Sequence, residues 1–201
     1  LSRSALALTG ATLASQLPLT STFARNRASN DSLGVGIIGY GSRATALLGN
    51  LLDQREKLNL HFPVVCDVWS ERQLEGANRI ESATGQRPRT TTRYQDVLTS
   101  DDVDCIVVAT PDFSHTPILV DAAQAGKHAY IEKPVSISVE QANQALEAVL
   151  ESGIVFQAGT QFRESPAYRG AAKALREGII GDLIKIDCWY NRQEIGWASR
   201  D

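Results

Sequence analysis

The chain has 201 residues, of which 43% are hydrophobic and 21% are charged, and its formal net charge is -3. These values indicate a globular protein that can form one complete hydrophobic core and the beginning of a second domain. The slightly acidic balance, without a Lys/Arg stripe, argues against a nucleic-acid-binding surface. No run of about 18 apolar residues predicts a membrane span.

The first 32 residues differ in composition from the rest. The stretch "SALALTGATLASQLPLT" is moderately apolar and rich in small residues, and "TFA" at Thr22 to Ala24 resembles a signal-peptidase site. We expect residues 1–32 to be the remnant of an export signal and a linker. The low hydrophobicity of this stretch favours export to the periplasm by the twin-arginine route. Of the arginine pair that marks such signals, only Arg3 is present. The alternative is an N-terminal tail on a cytoplasmic protein.

From Leu33 onward, apolar runs alternate with segments of helical spacing. The predicted strands are 34–38, 62–66, 87–94, 103–110, 128–134 and 154–160. The predicted helices are 43–53, 70–85, 94–100, 114–126, 138–153 and 165–181. The expected helix caps are Ser70 and Ser114 at the starts and Gly85, Gly126 and Gly153 at the ends.

This succession of strands and helices predicts an α/β fold, a doubly wound parallel Rossmann sheet with right-handed crossovers over residues 33–160. Residues 161–201 are expected to form a connecting helix and the first strand of a second, truncated α+β domain. That strand is "DLIKIDCWYNRQ", in which Ile184, Ile186 and Cys188 alternate with charged residues. Because the chain begins at Leu1 and has no methionine, we expect it to be part of a longer protein.

The three cysteines, Cys66, Cys105 and Cys188, lie in apolar, strand-like runs. Their spacing does not match a metal site. We therefore predict that all three pack in the core, and no metal site is predicted.

A glycine-rich motif directly follows the first predicted strand. It fits the pattern G-x-G-x-x-G/A, in which the first glycine permits a tight turn, the second allows the backbone to approach a pyrophosphate, and the last small residue keeps the helix near the sheet. Free N–H groups and the positive dipole at the helix start would bind the phosphates. The alternative is a simple strand–helix turn. The motif consists of Gly39, Tyr40, Gly41, Ser42, Arg43 and Ala44.

An acidic residue, Asp67, ends the second predicted strand. It lies further along the chain than the roughly 20 residues usual for the ribose-binding carboxylate, because the first helix and its loop are extended. A carboxylate here can accept hydrogen bonds from both adenine ribose hydroxyls and repels a 2′-phosphate, which favours NAD over NADP. Arg72 nearby could stack on adenine or bind that phosphate, which leaves NADP open. The alternative role for Asp67 is to cap the following helix.

The stretch "VVATPDFSHTP" follows the fourth predicted strand, at the edge where an open parallel sheet binds its ligand. Thr110 and Pro111 are expected to form a turn against the cofactor. Asp112 and His115 begin the next helix. For His115 the alternatives are a proton shuttle and a positional role, and the helix start favours the second.

The stretch "YIEKPVS" ends the fifth predicted strand with Glu132, Lys133 and Pro134. A lysine at the carboxyl end of a buried strand is expected to project into the ligand crevice, since burying its charge is costly. There its amine could orient a substrate hydroxyl or act as a general acid or base. Pro134 would rigidify the turn, and a cis peptide bond before it is one way to do so. A solvated Lys–Glu pair is the alternative.

Together, the glycine motif, Asp67, "ATPDFSHTP" and "EKP" resemble the Gfo/Idh/MocA family, named for glucose–fructose oxidoreductase and inositol dehydrogenase. The resemblance extends from Gly34 to Asn191, and "GKHAYIEKPVS" and "GIIGDLIKIDCW" are its more specific parts. It implies an oxidoreductase whose Rossmann domain binds NAD or NADP. It also implies a C-terminal open antiparallel sheet that binds a sugar or polyol and forms a homo-oligomer.

The resemblance also implies residue roles. Lys133 would contact the nicotinamide side and the reacting hydroxyl, Glu132 would act chiefly through its backbone, and Gln161 and Arg163 would lie near the nicotinamide. Many relatives carry Asn where this chain has Asp112. The family's main proton-transfer residue comes from the second domain, beyond this chain.

Three functions remain open from the sequence. The leading one is a dehydrogenase that moves hydride between nicotinamide and a sugar or cyclitol carbon, which the "EKP" motif favours. The second is a glycosidase that oxidises its sugar transiently with no net redox change. The third is a non-catalytic protein that binds the cofactor or a sugar.

Overall fold

The computed structural model describes residues 32–189. Almost all of the predicted export segment and the end of the predicted last strand therefore lie outside the described residues. The described strands are β1 (Leu33–Ile38), β2 (Leu60–His61), β3 (Val64–Cys66), β4 (Arg89–Thr91), β5 (Cys105–Val108), β6 (His128–Glu132) and β7 (Phe156–Gly159). The described helices are α1 (Ser42–Asp53), α2 (Arg55–Leu58), α3 (Ser70–Thr84), α4 (Tyr94–Leu98), α5 (His115–Gln124), α6 (Val139–Ser152) and α7 (Pro166–Arg176).

The strands form one parallel sheet in the order β4-β3-β1-β5-β6-β7, and β2 pairs with the start of β1. The chain runs outward from β1 through β3 to β4 and then returns to β5 on the other side of β1. This reversal makes the sheet doubly wound, as predicted, and places its topological switch point between β1 and β5. The short elements β2 and α2 were not predicted.

Both faces of the sheet are buried at its central strands, which explains the continuous apolar runs of β1, β3 and β5. Successive side chains of β1 point to opposite faces. Ile37 joins a cluster with Leu48 of α1, whereas Ile38 joins a second cluster with Leu119 of α5. The two helical layers thereby fix the direction of β1 and the position of the loop that follows it.

Helix ends follow the prediction better than helix starts. Gly85, Gly126 and Gly153 have φ of 73°, 66° and 66°, the left-handed conformation expected of glycine after a helix. Ser70 is the first residue of α3, and the N-cap is Trp69, so the prediction of a Ser70 cap was wrong. Ser114 does occupy the N-cap position of α5, but its side chain makes no capping hydrogen bond.

The chain divides into two compact units, with the boundary between Gly159 and Thr160. Within the second unit, the rings of Phe162 and Tyr168 lie 5.8 Å apart. Residues 183–189 form neither helix nor strand, so the predicted strand is not formed over its described part. Alternating side chains suit a strand, but its backbone hydrogen bonds need a neighbouring strand, and the described part of this unit has none.

Two of the three cysteines pack as predicted. Burial raises the pKa of the Cys66 thiol to about 12 and that of Cys105 to about 11, as expected of unreactive core cysteines. Cys188 is exposed, so its predicted place in a core was wrong. Between residues 32 and 189, no cluster of three His, Cys, Asp or Glu could hold a metal ion. Over the same range, no helix combines the length and the apolar character needed to cross a bilayer.

Candidate active site

Four of the residues predicted to bind a cofactor follow the carboxyl ends of four strands in the sheet. Gly39 follows β1, Asp67 follows β3, Thr110 comes two residues after β5, and Lys133 follows β6. Because all strands are parallel, these residues lie along one edge of the sheet, on both sides of the switch point. We call this edge the crevice.

Two features require a glycine at residue 39: its backbone conformation and its close contact with Thr110. Its φ of 82° lies in the left-handed region. A Cβ atom there would lie 2.7 Å from the Cγ2 atom and 2.8 Å from the backbone nitrogen of Thr110. The turn after β1 therefore packs directly against the turn after β5, at the switch point of the sheet.

Gly41 lies at the start of α1 in a different environment. It is the N-cap of α1, with no side-chain cap on the first N–H groups of that helix, and apart from its own chain neighbours no atom of residues 32–189 lies within 4 Å of the position that a Cβ atom would take. Its space is open, and the N–H groups of the first turn of α1, which have no partner within a helix, point where a phosphate can bind. Ala44 is buried against the sheet and Ser42 is exposed. The loop therefore fits the pyrophosphate of a dinucleotide.

Tyr40 contributes to this loop through its backbone only. Its ring is buried, and a Cβ atom on Gly76 of α3 would lie 3.1 Å from it. Its N–H group donates a hydrogen bond of 2.6 Å to Asp67 Oδ2. The Tyr40 side chain therefore packs α3 onto the sheet, and its backbone is the part that faces the loop.

Asp67 is half-buried and held by two backbone groups. Its Oδ2 accepts from Tyr40, and its Oδ1 accepts from the N–H of Trp69 at 2.9 Å. Each carboxylate oxygen has a further lone pair, so the group can still accept hydrogen bonds from ribose hydroxyls. Arg72 lies 5.5 Å from the centre of the Trp69 ring and pairs with Glu75 at 2.7 Å. This pairing weakens the case for Arg72 as a phosphate ligand, and the site fits NAD better than NADP.

His115 connects the turns after β5 and β6. It is 1% exposed; its Nε2 lies 2.9 Å from the carbonyl oxygen of Thr110 and its Nδ1 lies 2.6 Å from that of Pro134. The neighbouring Ser114 hydroxyl lies 2.7 Å from Thr110 Oγ1 instead of capping α5. Both ring nitrogens of His115 face backbone carbonyls, which supports the positional role over the proton shuttle.

Replacing His115 with alanine is expected to lower the free energy of unfolding by about 2–4 kcal/mol, since the change removes buried polar contacts and leaves a cavity. Urea denaturation measures this value. The control is His128→Ala at an exposed residue, with an expected cost below about 1 kcal/mol. Equal destabilisation by the two changes would contradict the bridging role.

Glu132 is the most heavily bonded group at the crevice. Its carboxylate is 4% exposed; Oε1 accepts from Arg43 Nε at 2.7 Å and from the Tyr130 hydroxyl at 2.9 Å, and Oε2 lies 3.3 Å from the Lys133 backbone nitrogen. The hydrogen bond to Glu132 raises the pKa of the Arg43 guanidinium, against the opposing effect of burial. Burial, and then the bond to Glu132, raises the pKa of Tyr130. The expected role through the Glu132 backbone therefore does not account for these contacts of its side chain.

The sequence reasoning missed Tyr130 and Gly159 as parts of this site. Tyr130 precedes Glu132 by two residues on one strand, so the two side chains share a face of the sheet, and this spacing was an available signal. Gly159 of β7 is next to them: a Cβ atom there would lie 2.8 Å from both Glu132 Oε1 and the Tyr130 hydroxyl.

The remaining predicted residues are exposed. Lys133 is joined to Pro134 by a cis peptide bond, one of the expected ways to fix this turn. Pro111 and Asp112 lie on the surface beyond β5. Gln161, with Arg163, lies in a 3-10 helix of the second unit. The first unit thus brings together all the predicted site residues except Gln161 and Arg163.

Comparison with known proteins identifies the family. The sequence model described as "Oxidoreductase family, NAD-binding Rossmann fold" (GFO_IDH_MocA) matches residues 33–160. The chain is 35% identical over 89 residues to scyllo-inositol 2-dehydrogenase (NAD(+)) of Bacillus subtilis (strain 168), covering 44% of this chain and 26% of that protein. It is 23% identical over 179 residues to a glycosyl hydrolase family 109 protein of Shewanella baltica (strain OS155), covering 85% of this chain and 37% of that protein.

A solved structure agrees with the fold. The WlbA dehydrogenase of Bordetella pertussis, in complex with NADH and UDP-GlcNAcA, superimposes with a TM-score of 0.64 at 26% identity, over 75% of this chain and 44% of that one. The chain thus spans less than half the length of each of these relatives. The sheet is doubly wound, the glycine motif lies at its switch point, and the family model matches residues 33–160. For these reasons the chain belongs to the Gfo/Idh/MocA oxidoreductase family, which has an NAD-binding Rossmann fold.

Proposed function

We propose that the protein is an NAD-dependent oxidoreductase that transfers hydride between the nicotinamide ring and a carbon of a sugar or cyclitol. Family membership supports oxidoreduction as the class of reaction. The scyllo-inositol dehydrogenase and the UDP-GlcNAcA complex among the relatives support a sugar or cyclitol as the class of substrate. When bound, the cofactor supplies the hydride chemistry, and the protein supplies orientation and electrostatics.

Each side of the crevice holds one half of the cofactor in this proposal. The N–H groups of Gly41, Ser42 and Arg43 bind the pyrophosphate at the start of α1. Asp67, beyond β3, accepts hydrogen bonds from the adenine ribose. The nicotinamide half then extends to the other side of the switch point, over the turns after β5 and β6.

Lys133 carries the chemistry contributed by this part of the chain. Its exposed side chain begins at the end of β6, on the nicotinamide side. There its ammonium orients the reacting hydroxyl and stabilises negative charge on the oxygen as the hydroxyl proton passes to the family's proton-transfer residue in the second domain. Positioning of the two reactants accounts for much of the expected rate enhancement.

One observation carries this proposal. The Gly39 turn contacts Thr110, and His115 bridges the carbonyl groups of Thr110 and Pro134. The phosphate-binding turn and the Lys133–Pro134 turn are therefore both held against the single turn after β5. A dinucleotide whose phosphates lie at α1 has its other half within reach of Lys133.

The test is mass spectrometry of the protein purified from its native compartment. We expect NAD(H) rather than NADP(H) to co-purify. We also propose that residues 1–32 belong to an export signal and its linker, in which case the mature protein begins directly after Ala24. Sugars and cyclitols are then screened for NADH formation at the absorbance band of the reduced nicotinamide. Absence of any nucleotide, together with failure to bind added NAD, would overturn the proposal.

A second candidate function is a glycosidase that oxidises its sugar transiently. The match to the glycosyl hydrolase family 109 protein favours it, since that match covers 85% of this chain. The same screen separates the two functions. Release of an aglycone without accumulation of NADH would identify the glycosidase, whereas NADH accumulation identifies the dehydrogenase.

A further inference from the structure

The Arg43 side chain connects the two sides of the switch point. Arg43 is the second residue of α1, at the proposed phosphate site, where an arginine would ordinarily be assigned to the phosphates. Its guanidinium instead approaches Glu132 at the end of β6, with both Nε and a terminal nitrogen 2.7 Å from Oε1. The side chain therefore spans from the phosphate-binding helix to the nicotinamide side of the crevice.

The acceptor of this contact is built into the sheet. Glu132 is almost fully buried and also accepts from the Tyr130 hydroxyl. Gly159 leaves just enough room for both groups, because a Cβ atom would lie 2.8 Å from each of them. A buried carboxylate needs a charged partner, and Arg43 supplies it.

The same carboxylate reaches the candidate catalytic residue. Glu132 Oε2 lies 3.3 Å from the backbone nitrogen of Lys133, a long contact whose direction favours donation from that N–H. Arg43, Glu132 and Lys133 thus form a continuous connection from the start of α1 to the turn that carries the lysine. We name Arg43, Glu132 and Tyr130 the crossing cluster.

We propose that the crossing cluster positions the Lys133 turn and the nicotinamide subsite, and that the Arg43 guanidinium is not a phosphate ligand. This inference rests on the proposed function, because it assigns the nicotinamide half of NAD to the β5–β6 side. The phosphates are then bound by backbone N–H groups alone. Arg43 and Glu132 are positioning residues and need not touch the reacting atoms.

The test compares the binding of two nucleotides, NADH and ADP-ribose, which share the adenosine and the pyrophosphate but differ in the nicotinamide. Both dissociation constants are measured by calorimetry for Arg43→Met and Glu132→Gln. We expect NADH affinity to fall by about tenfold, while ADP-ribose affinity changes by less than about twofold. Bound NADH should also lose part of the circular dichroism of its reduced ring.

Two further variants keep the test decisive. Gly159→Ala crowds the crossing cluster without changing a charge and is expected to reproduce the selective loss. If Arg43→Met fails to fold because it leaves Glu132 unpaired, the double variant Arg43→Met/Glu132→Gln removes both charges and is measured in its place. The matched controls are Arg55→Met, in an exposed ion pair with Glu56, and Gly170→Ala, which has open space around it.

The outcomes separate the inference from the proposed function. Equal loss of NADH and ADP-ribose affinity in Arg43→Met would show that its guanidinium binds phosphate and would overturn the inference alone. Unchanged affinity for both nucleotides in all variants would also overturn it. If the unaltered protein binds neither nucleotide, the proposed function fails, and the inference fails with it.

Discussion

Replacing Lys133 with alanine is expected to reduce turnover of the sugar or cyclitol substrate by roughly 10²–10³-fold, the usual cost of removing one group that stabilises the charge developing on a reacting oxygen. The dissociation constant for NAD should change little, because the proposal assigns the phosphates and the adenine ribose to other residues. Steady-state kinetics on the substrate found in the screen and calorimetry with NAD measure the two quantities. The fold should be intact, since the side chain is exposed.

The control for this prediction is Lys57→Ala. Lys57 is also exposed, but it lies on α2, which precedes β2 beside the start of β1, at the edge of the sheet opposite to the crevice. Its replacement should leave turnover and NAD binding unchanged. If Lys133→Ala retains full turnover, Lys133 has no part in the mechanism, and the proposed role of the "EKP" turn would have to be abandoned.

Replacing Gly41 with valine is expected to abolish most nucleotide binding while the protein stays folded. The backbone of Gly41 has φ of -96° and ψ of -169°, an extended conformation that a β-branched residue adopts without strain. The new side chain would fill the open space that the pyrophosphate needs. We expect the dissociation constant for NADH to rise roughly hundredfold, and that for ADP-ribose to rise equally.

Thermal unfolding separates this effect from a loss of structure. Gly41→Val should cost about 1 kcal/mol, because valine is a poorer N-cap than glycine. Gly39→Ala provides the contrast: its positive φ and the contact with Thr110 predict a larger loss of stability. Unchanged NADH affinity in folded Gly41→Val would show that the phosphates do not approach α1 at this residue.

The strands and the positions of the ligand-binding turns could be predicted because their signals are local. A continuous apolar run such as 105–108 specifies a strand buried on both faces, and the glycines after helices specify left-handed residues. Parallel strands share one direction, so polar residues at their carboxyl ends had to meet at one edge. Gly39, Asp67, Thr110 and Lys133 were located in this way.

The predictions that failed depended on contacts that residue type and spacing alone do not specify. The alternation at Ile184 and Ile186 indicates a strand, but pairing decides whether one forms, and no described strand lies beside it in the second unit. Ser114 is a suitable cap by residue type, yet its hydroxyl bonds Thr110 and the Pro111 carbonyl. Tyr40 keeps its place in the glycine motif, and its ring packs into the core against Gly76, a contact that the motif does not specify.

The amino-acid sequence by itself determined the doubly wound fold, the family and the edge of the sheet where the candidate dinucleotide site lies, because hydrophobic periodicity, glycine positions and the succession of strands and helices can be read along the chain. Only the tertiary structure decided that Arg43 pairs with Glu132, 89 residues further along the chain, and that His115 bridges two turns. A side chain's partner depends on which buried groups lack one after the strands have assembled. The need of the buried Glu132 carboxylate for a cation, and not the motif in which Arg43 stands, therefore directs the guanidinium.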